Sequence, residues 1–153
     1  MSPTTMTRSL LSTTFLVTLG LWTGAGVFFS TIVLPTLFIN LESTVAGQTA
    51  ALLFPGYYAF GIALGAILLG TACLLGRDGG RGWRIVIVAL AVAWACQLYA
   101  GLAVRPRMSA LRGEVSGVEE FQRLHRLSVR LNAIVLIGTV GVLVASASLI
   151  NKR

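Results

Sequence analysis

Four stretches of this 153-residue chain contain no Asp, Glu, Lys or Arg. They hold 33 residues between Arg8 and Glu42, 34 between Glu42 and Arg77, 20 between Arg84 and Arg105, and 21 between Arg130 and Lys152. Each reaches the roughly 20 residues an α-helix needs to cross a hydrocarbon layer about 30 Å thick. A soluble domain carries charge on about a quarter of its residues, whereas here the share is 11%. Disorder is excluded by a hydrophobic content of 56%, which is far too apolar for an unfolded chain. Two cysteines are too few for a disulfide-stapled scaffold.

The gaps predict an all-α protein: one four-span membrane domain over 1–153, folded as an antiparallel four-helix bundle with both termini on one side. The expected spans are about 10–38, 50–75, 84–104 and 122–150, the fourth helix starting near Val118. The apolar runs are unbroken, where a membrane barrel would alternate lipid-facing and lumen-facing residues. A cleaved signal peptide competes for the first span, since Arg8 precedes an apolar run. That run continues to Phe38, well past a 7–15 residue signal core, and lacks an A-x-A-like site. Pro55 reads as a first-turn proline of the second helix, and Pro35 as a residue that ends or kinks the first.

Basic residues punctuate the spans. Arg8, Arg77, Arg81, Arg84, Lys152 and Arg153 fall on the side of the termini, and Arg105, Arg107, Arg112, Arg123, Arg126 and Arg130 on the other. The count is even. Arg126 and Arg130 belong to a helix rather than a loop, and this tips the positive-inside rule toward cytoplasmic termini in a plasma or inner membrane. The net charge of +7 then anchors the chain to anionic headgroups of the bilayer. No nucleic-acid partner is expected, because such a patch combines basic and aromatic residues on a soluble surface.

Cys73 and Cys96 differ in depth by about 13 Å at 1.5 Å per residue, too far for a disulfide, and read as buried thiols. Two Cys, one His and three Met do not furnish a metal site, and no cofactor is expected. Gly20 and Gly24 in the first span, and Gly61 and Gly65 in the second, have the four-residue spacing that lets helix backbones approach. Packing inside the bundle is the preferred reading of these glycines. A homo-oligomer formed through the same faces is the alternative.

Polar side chains inside a span are informative because burying them unpaired costs several kcal/mol. The fourth helix opens with Phe121, Gln122, Arg123, Leu124, His125, Arg126, Leu127, Ser128, Val129, Arg130, Leu131 and Asn132. At 100° per residue, Phe121, His125, Ser128 and Asn132 share one face, and Arg123, Arg126 and Arg130 share the opposite one. The first face is expected to point into the bundle while the arginines reach for headgroups. Residues near the first loop and the third connection lie at one membrane face. They include Pro35, Asn40, Pro55, Tyr57, Tyr58, Tyr99, Arg105, Arg107 and His125. About 10 Å deeper, Ser30, Thr31, Gln97 and Asn132 should form a second polar layer. The candidate polar pocket at this end therefore comprises His125, Ser128, Asn132, Arg105, Arg107, Tyr57, Tyr58 and Gln97. Each also has an ordinary reading: a helix-end His, helix-bridging Ser and Asn, an aromatic belt of tyrosines.

Three motifs carry a resemblance. They are Leu53-Phe54-Pro55-Gly56-Tyr57-Tyr58, Arg105-Pro106-Arg107-Met108, and Phe121-x-x-Leu124-His125-x-x-Ser128-x-x-x-Asn132. In order and in four-span frame the chain resembles the transmembrane protein 205-like family, also catalogued as domain of unknown function 4149. The resemblance implies a small integral membrane protein of four helices and no particular reaction. Some relatives carry an acidic residue where this chain has Arg105, so a carboxylate role is not carried over. The expected function is that of a structural or accessory membrane protein with a polar pocket at one face. Transport or efflux of a small solute or cation bound there is the alternative. An enzyme is not expected, because no orienting acid or oxyanion donor can be named for Ser128 and His125, and a single His rules out a bis-His haem.

Overall fold

The computed structural model describes residues 3–77, 80–113 and 117–151, and among these every extended element is a helix. The elements are α1 (Pro3–Phe28), a π-helical segment (Phe29–Val33), α2 (Leu34–Asn40), α3 (Ser43–Gly76), α4 (Arg81–Tyr99), a second π-helical segment (Ala100–Val104), α5 (Arg105–Ala110) and α6 (Val118–Asn151). Four continuous rods result, since each π segment joins two α-helices without a break. The four are long and apolar enough to cross a membrane. Around the bundle, α1 packs on α3, α3 on α4, α4 on α6 and α6 on α1, which is the up-down-up-down ring expected of short connections.

The outward faces are apolar as well. Val17, Leu21, Phe28 and Ile32 on the first rod, Ile85, Val88 and Val92 on the third, and Ile134, Ile137 and Val144 on the fourth are all exposed. In water this would be one very large hydrophobic patch; against acyl chains it needs no cover. The chain is a multi-pass membrane protein.

Helices overrun the spans that charge predicts. The α3 helix starts at Ser43 rather than Ala50, and the third rod continues as helix to Ala110 rather than ending at Val104. The reason is physical: charge-free length reports the hydrocarbon layer, while backbone hydrogen bonding continues into the headgroup region. Pro55 is consequently an interior proline of α3 and not a first-turn one.

Each π segment ends two residues before a proline. Leu34 donates its N–H five residues back to Phe29, and Arg105 does the same to Ala100; Pro35 and Pro106 follow. A proline ring clashes with the carbonyl four residues earlier, and it disfavours the α conformation of the residue before it. Widening one turn relieves both constraints. The first rod thus continues as helix through Pro35 and does not end there.

The core is divided along its length. Phe15, Leu19, Leu64, Leu68, Ala72, Leu75, Trp83, Val86, Leu90 and Val142 form an apolar cluster in the half nearest the termini, with Phe15 edge-on to Trp83 at 5.7 Å. The opposite half is aromatic and polar, and holds the candidate site.

Candidate functional site

Asn132 is the one member of the fourth-helix stripe whose side chain reaches two other rods. Tyr57 of α3 donates its hydroxyl to Asn132 Oδ1 at 2.6 Å, and Asn132 Nδ2 donates to Ser30 Oγ at 3.0 Å. Ser30 lies in the first π segment, so the widened turn carries the residue that receives the bond. The pairing of Ser30 with Asn132 agrees with the depth expected of the second polar layer. Thr31 and Gln97 do not join it. Thr31 is exposed and donates to the Val27 carbonyl of its own helix, because it sits 100° around the turn from Ser30. Gln97 is buried at 1% exposure, and its Nε2 has no hydrogen-bond partner among the described residues.

His125 and Ser128 differ from expectation. The His125 side chain is exposed, and Ser128 Oγ donates to the His125 carbonyl at 2.8 Å, within the same helix. The inward stripe of α6 runs through Leu124, Val135, Thr139, Val142 and Ser146. His125 stands at the edge of that stripe, one residue past Leu124, and faces outward. The three residues therefore do not line a common pocket. Arg107, Arg123, Arg126 and Arg130 are exposed, and Arg123 lies 3.9 Å from Glu120 in a loose surface pair.

The tyrosines divide. Tyr57 stacks on Phe29 with centroids 4.5 Å apart, Phe54 lies near both Phe29 and Tyr58, and Tyr58 is buried at 6% exposure. These two belong to an inter-helix aromatic cluster and not to an interfacial belt. Tyr99 is 50% exposed, as a belt residue would be.

Glycine positions also divide. A Cβ on Gly61 would run into the Gln97 amide and the Trp22 indole, and one on Gly65 into the Trp94 ring. The Trp94 indole N–H lies against the same helix and donates to the Ile62 carbonyl at 2.9 Å. Gly20 and Gly24, by contrast, have nothing within 4 Å of an added Cβ, so they take no part in packing within the chain. Gly26 and Gly101 are the close approaches that glycine spacing missed, with Leu136 at 2.7 Å and Tyr58 at 2.9 Å from the added carbon. Gly26 was findable: it continues the buried line Phe15, Leu19, Trp22, while Gly20 and Gly24 lie across the helix from Trp22. Cys73 is exposed and Cys96 half-buried, both as free thiols, which corrects the reading of two buried cysteines.

Two concavities adjoin this cluster. A small one of about 40 Å³ is lined by Ala51, Phe54, Tyr58, Arg105, Met108, Ser109, Arg112 and Ser128. Pro55 supplies no N–H to the carbonyl of Ala51, so a backbone acceptor of this lining lacks its usual helical donor. The larger, about 520 Å³, is an apolar groove between α2, α3, α5 and α6, with Leu34, Phe38, Phe54, Met108 and Phe121 in its walls and Arg112 and His125 on its rim. Arg112 donates to the Gly47 carbonyl at 2.9 Å, tying the third connection to the first turns of α3. Sequence reasoning did not single out Arg112, Phe29 or Trp94; no spacing rule marks a contact made 65 residues away.

Residues 17–116 match the family described as Domain of unknown function (DUF4149). This interval holds the Leu53–Tyr58 and Arg105–Met108 motifs, and ends before Phe121. A protein of Aquifex aeolicus (strain VF5) described as uncharacterized is 33% identical over 126 residues, which cover 82% of this chain and 89% of the relative. No solved structure matches. With a family match over about two thirds of its length and a relative aligned over most of both chains, the chain belongs to the DUF4149 family.

Proposed function

We propose that this protein is a structural or accessory component of its membrane and not an enzyme, with kinship to transmembrane protein 205-like proteins. The observation that supports this reading is the pairing of Asn132, whose amide accepts from Tyr57 and donates to Ser30. The deepest polar contact of the stripe thus holds three rods together. The same reading places both termini in the cytoplasm of a plasma or inner membrane, with exposed arginines on headgroups. The open faces of Gly20 and Gly24 leave room for a second copy.

A second reading, carriage of a small solute or cation at the His125 face, draws on the 520 Å³ groove. Proteoliposomes separate the two. Vesicles holding the purified protein and loaded with sodium should retain it as well as protein-free vesicles. Leakage that His125→Ala abolishes would overturn the accessory reading.

A further inference from the structure

The geometry points to the groove between α2, α3, α5 and α6 as a binding site for one anionic phospholipid, an acyl chain lying along its apolar walls and the phosphate at Arg112. A lipid seated here is compatible with the accessory reading, and would occupy the groove on which the carrier reading draws. Its volume, about 520 Å³, falls within the roughly 300–1,000 Å³ of small-molecule sites. Along α3 it extends from Ser43, at the level of the loops, to Phe54, about 16 Å deeper at 1.5 Å per residue. The deep walls are Leu34, Phe38 and Phe54, which suit a hydrocarbon chain and nothing charged.

The rim supplies the sign. Arg112 is there, and no Asp or Glu lines the groove among the described residues. Arg112 is held over α3 by its bond to the Gly47 carbonyl. One guanidinium N–H is used in that bond, and the remaining donors suit a phosphate, which arginine binds with two parallel hydrogen bonds. Arg105 lines the adjoining small cavity together with Arg112 and adds to the positive field. A cation is therefore disfavoured, and a free inorganic anion would leave the apolar walls without an occupant. Basic pockets beside membrane helices are a recurrent form of anionic-lipid recognition.

Gly47 makes the proposal testable. It lines the groove, and a side chain there would enter open space, with nothing within 4 Å of its Cβ. Gly47→Phe should place a ring in the groove, its first carbon entering free of contact. The full chain in mild detergent is equilibrated with dioleoyl phosphatidylglycerol, dioleoyl phosphatidylcholine or inorganic phosphate, and bound species are counted by native mass spectrometry. The wild type should retain one phosphatidylglycerol per chain with an apparent Kd at least tenfold below that of phosphatidylcholine. Gly47→Phe should weaken phosphatidylglycerol at least tenfold with its lipid-free melting temperature unchanged, and Arg112→Gln should bring it to the phosphatidylcholine level. Phe38→Ser, at a wall residue, repeats the loss should Gly47→Phe melt early. Equal retention of the two lipids, undiminished retention in both groove variants, or displacement of phosphatidylglycerol by inorganic phosphate would each overturn the assignment. Sodium leakage does not enter these readouts, so failure of the lipid site leaves the accessory reading untouched.

Discussion

Asn132 and His125 sit seven residues apart on one helix and meet different fates. The amide of Asn132 points at α1 and α3 and is satisfied on both sides, whereas the His125 ring is on the rim of an open groove. Two turns of helix bring residues seven apart nearly into line, so helical angle alone groups them. Which side of that line is covered depends on where the neighbouring rods end. Glycines teach the same lesson, since equal spacing serves Gly61 and Gly65 but not Gly20 and Gly24. Gly65→Ala should cost about 1–3 kcal/mol, because the added carbon meets the rigid Trp94 ring in a filled space. Gly24→Ala should be neutral or stabilise by up to about 1 kcal/mol through helix propensity. Thermal melting of the detergent-solubilised variants checks both, and equal losses would contradict the assigned faces.

At the scale of elements, the rods and their order follow from charge-free length and short connections. The π segments do not, although the prolines that accompany them stand in plain view. A proline signals that a turn must change, and whether the helix stops, kinks or widens depends on what the altered turn can pack against. In the first rod the widened turn carries Ser30 to Asn132 and Phe29 to Tyr57. Pro35→Ala removes the reason for the widening, and a turn that closes to ordinary α geometry rotates Ser30 away from α6. In that background Asn132→Ala should lose about half its effect on stability, because one of its two bonds is already gone. An undiminished effect would show that Pro35 does not set the turn.

For the whole molecule, the two halves of the bundle use different chemistry. The half near the termini is an apolar core around Leu68 and Leu90, and the other joins rods by aromatic stacking and the Asn132 bonds. The gathering of polar and aromatic residues in the sequence already marks the second half as distinctive. The groove is less legible, since its walls come from four elements and its arginine is fixed by a long-range contact with Gly47. Side assignment rests on the arginines. A reporter that functions only in the cytoplasm should be active when fused after Arg153 and silent when inserted beside Leu41, and the reverse pattern would invert the topology.

Asn132 of α6 is, on this account, the tie between three helices. A double-mutant cycle of Asn132→Ala and Tyr57→Phe, followed by unfolding in mixed detergent micelles, isolates the bond between them. We expect a coupling of about 0.6–1.7 kcal/mol, the range of inter-helix hydrogen bonds in membrane proteins. Additive losses, with no coupling, would contradict the account.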